Sequence, residues 1–182
     1  MTSLFLSPHD DDQALFGAFT CLRERPLVVV CFDSYVQPNR GEVGCSAEER
    51  ARETYVASQF LGCSVLRLGL RDDSILPFAG NALERALFQF QNIGTVYAPS
   101  RQGGNWHHDL VHDRARAVFE GRVVEYTTYT KTELWTTGAR EVIGTPDEHA
   151  RKLTALKCYP SQWRINRPHF EAVIGKNEWL NP

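Results

Sequence analysis

Two short stretches carry most of the chemistry available to this chain. The first, Ser7-Pro8-His9-Asp10-Asp11-Asp12, sets a histidine and three consecutive carboxylates directly after an apolar run. The second, Gly103-Gly104-Asn105-Trp106-His107-His108-Asp109-Leu110-Val111-His112, holds three of the six histidines. His9, one of the aspartates and one of the later histidines would make a two-histidine, one-carboxylate site. That donor set suits catalytic zinc, which takes three protein ligands and keeps a place for water. Bound zinc lowers the pKa of that water to about 7, and a nearby carboxylate can then take its proton. Adjacent aspartates point in different directions, so one can be ligand and another base. Each group also has a plainer use. Asp10–Asp12 can cap a helix and answer its dipole, and any one of His107, His108 and His112 can be a buried helix residue with its hydrogen bonds satisfied. Only the joint placement of the two clusters favours a metal. The same donor set serves non-haem iron(II) oxygenases, but those are all-β double sheets.

The elements that must position these residues alternate between apolar runs and helical patterns, which predicts parallel β-α-β units. Leu4–Leu6 reads as a buried strand, followed by a helix over Asp11–Arg23 with Ala14, Leu15, Ala18, Phe19 and Leu22 on one face. Leu27–Phe32 is continuously apolar, as expected of a strand covered on both faces. After a loop from Ser34 to Cys45, Ser46 and Glu49 predict a capping box for a helix ending near Leu61-Gly62. Strands are predicted at Val65–Leu68 and Thr95–Ala98, and helices at Asn81–Gln91, His107–Glu120 and Pro146–Cys158. Arg122–Thr130 alternates like an outer strand, and the last twenty or so residues read as irregular with aromatic anchors. The expectation is one domain over residues 1–182: a Rossmann-like three-layer α/β fold with a mostly parallel central sheet. Ligands of such sheets bind at the carboxyl ends of the strands, where the strand order switches. Strands one and four are neighbours there, so the two clusters are expected to share one crevice.

Composition narrows the partners. The chain has 182 residues, enough for a core without staples, and its formal charge of −2 gives no basic footprint for nucleic acid. No apolar run approaches a membrane span, and Leu4-Phe5-Leu6 is too short for a signal-peptide core. The five cysteines have an odd total and no C-x-x-C spacing, so they read as reduced thiols in a cytoplasmic protein.

Four stretches, in order, resemble motifs of the LmbE/PIG-L family of zinc-dependent N-acetylglucosaminyl de-N-acetylases. Pro8-His9-Asp10-Asp11-Asp12 is similar to P-H-x-D-D, and Arg50-Ala51-Arg52-Glu53 with Leu61-Gly62 to R-x-x-E…L-G. Asn105-Trp106-His107-His108 occupies the place of H-x-x-H, and Lys152 to Gln162 follows K-x-x-A-L-x-x-Y-x-S-Q. The resemblance implies a Rossmann-like fold and hydrolysis of an N-acyl group, usually acetyl on an amino sugar or glycoconjugate, with zinc-bound water as nucleophile. It assigns His9, Asp12 and His108 to one Zn2+ ion and Asp11 to the general base, leaving Asp10 at a variable position where it only adds charge. The first histidine of H-x-x-H, which polarises the substrate carbonyl or stabilises the oxyanion, is replaced by Asn105. An asparagine amide can donate a hydrogen bond but cannot act as an acid. A second register makes His108 catalytic and His112 the ligand, since four-residue spacing puts both on one helical face.

Other expectations are more local. Trp106 is placed to stack on a sugar ring, whereas Trp135, Trp163 and Trp179 read as packing anchors. Arg40 and Arg101, in loops after strands two and four, are candidates for an anionic substrate group. Arg50 and Glu53 read as a structural pair, Ser161 and Gln162 as residues packing the C-terminal segment, and Tyr35–Cys45 and Asp72–Gly80 as pocket-lining loops. A homo-oligomer is compatible with the sequence. Two other functions compete with the hydrolase. A metal-dependent glycosyltransferase would use the aspartates to hold a metal and nucleotide phosphate, but leaves His9 and His108 without a role. A catalytically altered binding protein on the same fold would account for Asn105.

Overall fold

The structure is a computed structural model that describes residues 3–34, 44–71, 76–128 and 139–182. Among these, seven strands form one sheet: β1 (Leu4–Ser7), β2 (Leu27–Asp33), β3 (Ser64–Arg71), β4 (Val96–Pro99), β5 (Val123–Tyr126), β6 (Arg140–Val142) and β7 (Glu178–Asn181). Their order is β3-β2-β1-β4-β5-β7-β6. The first five run parallel, β7 pairs antiparallel with β5, and β6 antiparallel with β7. β1 therefore lies between β2 and β4, where the chain direction of the winding reverses.

Side-chain alternation divides the core into two layers. Leu4, Leu6, Val29 and Cys31 face one side, packing on α4 (Leu76–Leu87) and α5 (Trp106–Val118) through Leu83, Leu87, Val111 and Ala115. Phe5, Val28 and Val30 face the other side. There they meet α1 (Asp12–Phe16), α2 (Ala18–Glu24), α3 (Ala47–Leu61) and α6 (Pro146–Lys157). β2 is thus covered on both faces, which explains its unbroken apolar run. Ser46 caps α3 by accepting the Glu49 N–H at 3.1 Å, and Gly62 ends it at φ +74°. The α-helix α6 starts with a full capping box from Thr145 and Glu148.

Three expectations change. The helix read over Asp11–Arg23 breaks at Gly17, where a Cβ would collide with the Phe5 ring, so only glycine lets the two helices sit this close to β1. β5 is interior rather than outer, because β7 and β6 extend the sheet beyond it. The C-terminal region is ordered as α7 (Pro160–Ile165), α8 (Arg167–Val173) and β7. Pro160 and Pro168 sit in the first turns of α7 and α8, where a missing N–H costs nothing. β7 hides in the sequence because one of its two inward residues is a charged Glu178, paired with Lys152 at 2.9 Å.

Cys21, Cys31, Cys45 and Cys63 are buried and Cys158 is half-buried, all as free thiols. Among the described residues, no helix is long and apolar enough to cross a membrane.

Candidate metal centre and active site

The turn between β1 and α1 is fixed from several sides. Phe32 N–H on β2 donates to Pro8 O at 3.0 Å, and Gln13 N–H to Ser7 Oγ at 3.2 Å. His9 N–H donates to Asp12 Oδ2 at 2.7 Å, so the carboxylate closes the turn that presents the imidazole. β4 pairs with β1, and its connection leads to α5, whose first turn carries His108. Sequence-distant donors meet because the two strands are neighbours.

His9, Asp12 and His108 each direct a donor atom into a common space, all within 4.8 Å of one another. His9 Nδ1 lies 3.4 Å from Asp12 Oδ2 and 3.3 Å from His108 Nε2. His108 Nε2 lies 3.4 Å from Asp12 Oδ1. A tetrahedral ion with bonds of about 2.0–2.1 Å separates its ligands by about 3.3–3.4 Å. The spacing of these donors therefore fits such an ion, although the two histidines approach different carboxylate oxygens. Burial of Asp12 opposes its charge, but His108 and His9 outweigh this and hold its pKa down at about 2. Burial lowers the pKa of His108, against the opposing pull of the Asp12 charge. Burial acts the same way on His9, but the Asp12 hydrogen bond and the charges of Asp12, Asp11 and Asp10 outweigh it and raise its pKa. A divalent cation requires an anionic carboxylate and bare imidazole nitrogens, so binding it would displace any extra proton that the aspartates draw onto His9.

Asp11 and Asp10 diverge from each other. Asp11 Oδ2 lies 3.0 Å from Arg50 Nη2, a guanidinium that is almost fully buried. Arg50 also faces Glu53 at 3.4 Å and packs over the Tyr159 ring at 5.4 Å. Glu53 in turn accepts Ser161 N–H at 2.7 Å and Ser161 Oγ–H at 2.6 Å. The R-x-x-E and Y-x-S-Q segments thus brace one another and hold Asp11, a linkage that pairing Arg50 with Glu53 alone did not anticipate. Asp10 is not incidental. It is fully buried, pairs with Arg67 of β3, and accepts Ser34 N–H at 3.2 Å. Its backbone O accepts Tyr159 O–H at 2.8 Å and Gln13 Nε2–H at 3.1 Å. Its burial raises the carboxyl pKa, and Arg67 and Arg50 oppose that rise. The residue ties the turn to the end of β2, to β3, to α3 through Thr54 Oγ1–H at 3.1 Å, and to the N-cap of α7.

Asn105 is the N-cap of α5, and its Oδ1 accepts the His107 N–H at 3.0 Å. His112 stands apart from the three donors: its Nδ1 lies 3.1 Å from Pro99 O and 3.8 Å from Glu125 Oε1. Trp106 is 36% exposed, beside His107 at the edge of the centre. Arg101 instead pairs with Asp113 at 3.1 Å on the surface. Arg40 and Trp135 lie outside the described residues, as does most of the Tyr35–Cys45 loop. Sequence reasoning assigned His107 no role beyond that of one of three histidines in the cluster, yet its Nδ1 approaches His9 Nε2 at 3.0 Å. Its signal was the His107-His108 doublet, whose members point in different directions from the first helical turn.

No protein-family model matches the sequence, and neither does any curated protein. Solved structures do match. The A40926 pseudoaglycone deacetylase Dbv21 is similar with a TM-score of 0.75 and 16% identity, over 100% of this chain and 96% of that one. The N,N'-diacetylchitobiose deacetylase of Pyrococcus horikoshii gives a TM-score of 0.71 and 16% identity, over 99% and 82%. GalB, the 4-carboxy-2-hydroxymuconate hydratase of Pseudomonas putida, gives 0.68 and 16%, over 100% and 95%, so one fold carries more than one reaction. Over its full length the chain has the fold of the LmbE/PIG-L deacetylases, the fold that its motifs implied.

Proposed function

We propose that the protein is a metal-dependent hydrolase that removes an N-acyl group, in the first instance acetyl, from an amino sugar or related small molecule. The observation that carries this reading is the convergence of His9, Asp12 and His108 donor atoms within 4.8 Å at the carboxyl ends of β1 and β4. His9, Asp12 and His108 would hold the cation, zinc being the ion best suited to two imidazoles and a carboxylate. Such an ion, when bound, supplies Lewis acidity and lowers the pKa of its water to about 7.

The remaining steps belong to the chain. Asp11, oriented by Arg50, takes the proton of the attacking water and returns it to the leaving amine. Asn105 cannot supply that proton. With its Oδ1 engaged by His107 N–H, its remaining contribution is an amide N–H toward the developing oxyanion. Trp106 at the edge of the centre offers a face for a sugar ring.

The test is to measure divalent metal in the purified protein and acetate released from a panel of N-acetylated sugars. The reading predicts roughly one zinc per chain and acetate release from at least one amino sugar. A folded protein that binds no divalent cation would overturn it. A manganese requirement with sugar transfer would favour the glycosyltransferase, and metal binding without turnover the binding protein. The fold shared with GalB adds one control, an assay for hydration of an unsaturated acid without acetate release.

A further inference from the structure

His107 carries an inference that rests on, and deepens, the proposed metal centre. Its ring is buried between Phe32, at 4.6 Å, and Trp106, at 3.7 Å. It meets His9 edge-on, with an interplanar angle of 86° and His107 Nδ1 at 3.0 Å from His9 Nε2. The other nitrogen of His9, Nδ1, faces Asp12 Oδ2 and His108 Nε2. To offer a lone pair to a cation, Nδ1 must be bare, so the single proton of neutral His9 belongs on Nε2. That proton needs an acceptor, and His107 Nδ1 is in place to accept it.

We propose that His107 is the positioning residue that fixes the tautomer and ring orientation of His9 for cation binding. An imidazole ligand gains basicity and a fixed orientation when its second nitrogen is hydrogen-bonded, and losing such a partner typically costs roughly 10–100-fold in metal affinity. Asn105 takes part indirectly. By capping the His107 N–H it sets the first turn of α5 so that consecutive residues project in two directions, His108 toward the donor space and His107 behind His9. The asparagine at the first position of the H-x-x-H segment therefore positions a histidine two residues later.

The test is a titration with Co2+, followed by its visible absorption, on the wild type, His107→Leu and His107→Asn. Leucine keeps apolar volume without an acceptor; the asparagine amide oxygen can take the place of Nδ1. The inference predicts Co2+ binding weakened roughly 10–100-fold in His107→Leu and restored to within a few-fold in His107→Asn. In the wild type loaded with Zn2+, 15N shifts should show His9 protonated at Nε2 and bare at Nδ1. Unchanged affinity in His107→Leu, with the wild type binding normally, overturns the inference and leaves the metal centre standing. Equal loss in both variants means that the ring acts only by packing, and also overturns it. A wild type without Co2+ affinity removes the metal centre itself, and the inference with it.

Discussion

Replacing Lys152 by methionine should unbalance a buried ion pair that includes none of the proposed metal ligands. Lys152 Nζ sits 2.9 Å from Glu178 Oε1, with both side chains almost completely buried, and 4.9 Å from the Phe19 ring centroid. Glu178 also accepts the Phe19 N–H, at 3.1 and 3.0 Å to its two oxygens, in the first turn of α2. One carboxylate therefore joins β7, α2 and α6. Removing the ammonium leaves a buried anion with one backbone donor among the described residues, a change that costs about 3–5 kcal/mol. Against a total stability of about 5–15 kcal/mol this is a large fraction. At about 2–4 °C per kcal/mol for a chain of this size it lowers the Tm by about 6–20 °C. The retained Phe19 N–H places the expectation toward the lower end. Thermal and urea unfolding, followed by circular dichroism, measure it. The double variant Lys152→Met with Glu178→Gln should recover part of the loss, because a neutral amide still accepts the Phe19 N–H. A single variant that loses less than about 1 kcal/mol, as an exposed pair would, refutes the reasoning.

Three other perturbations separate the remaining roles. Asp11→Asn should retain divalent metal while acetate release falls about 10²–10⁴-fold, the usual worth of a positioned base; full activity would show that another group takes the proton. His108→Ala should abolish metal binding and His112→Ala should leave it intact, since only His108 faces His9 and Asp12; metal analysis showing the reverse would select the other register. Arg23→Ala removes two hydrogen bonds to Glu148, at 2.7 and 2.8 Å, that hold its pKa down at about 2, below the reference 4.5. A depressed carboxylate stabilises the fold above its unfolded pKa and loses that contribution as pH falls through the folded one. The wild type should therefore exceed the variant by at most about 1 kcal/mol near pH 7, with the gap closing between about pH 4.5 and 2. A gap that persists at pH 2 would mean that Arg23 acts through something else, such as its bond to Ile143 O.

The central strands β1, β2 and β4 were legible because burial on both faces writes itself as unbroken apolar runs, and Leu27–Phe32 is the clearest case. That the two clusters share one crevice followed from strand order, since neighbouring β1 and β4 bring their following turns together, whereas the choice of Asp12 and His108 came from the motif resemblance. What stayed hidden depends on contacts between distant residues. Gly17 breaks a helix because of Phe5, twelve positions earlier in the chain, and no helical periodicity records that contact. Glu178 makes β7 look polar because its partner Lys152 lies on another element. Asp10 looked incidental within a run of like charges, yet Arg67, Ser34 and Thr54, from three other segments, surround its carboxylate. The role of His107 stayed hidden because a motif register directs attention to its first and last positions, whereas the contact with His9 depends on where the first turn of α5 points.

The claim on which the rest depends is that His9, Asp12 and His108 form a divalent metal site. Its most direct test is metal stoichiometry and affinity of the purified protein, measured alongside His9→Ala and Asp12→Ala that still fold. The account predicts about one zinc per wild-type chain and loss of that zinc in both variants. A folded wild type that takes up no divalent cation, or variants that bind it as tightly, would contradict it.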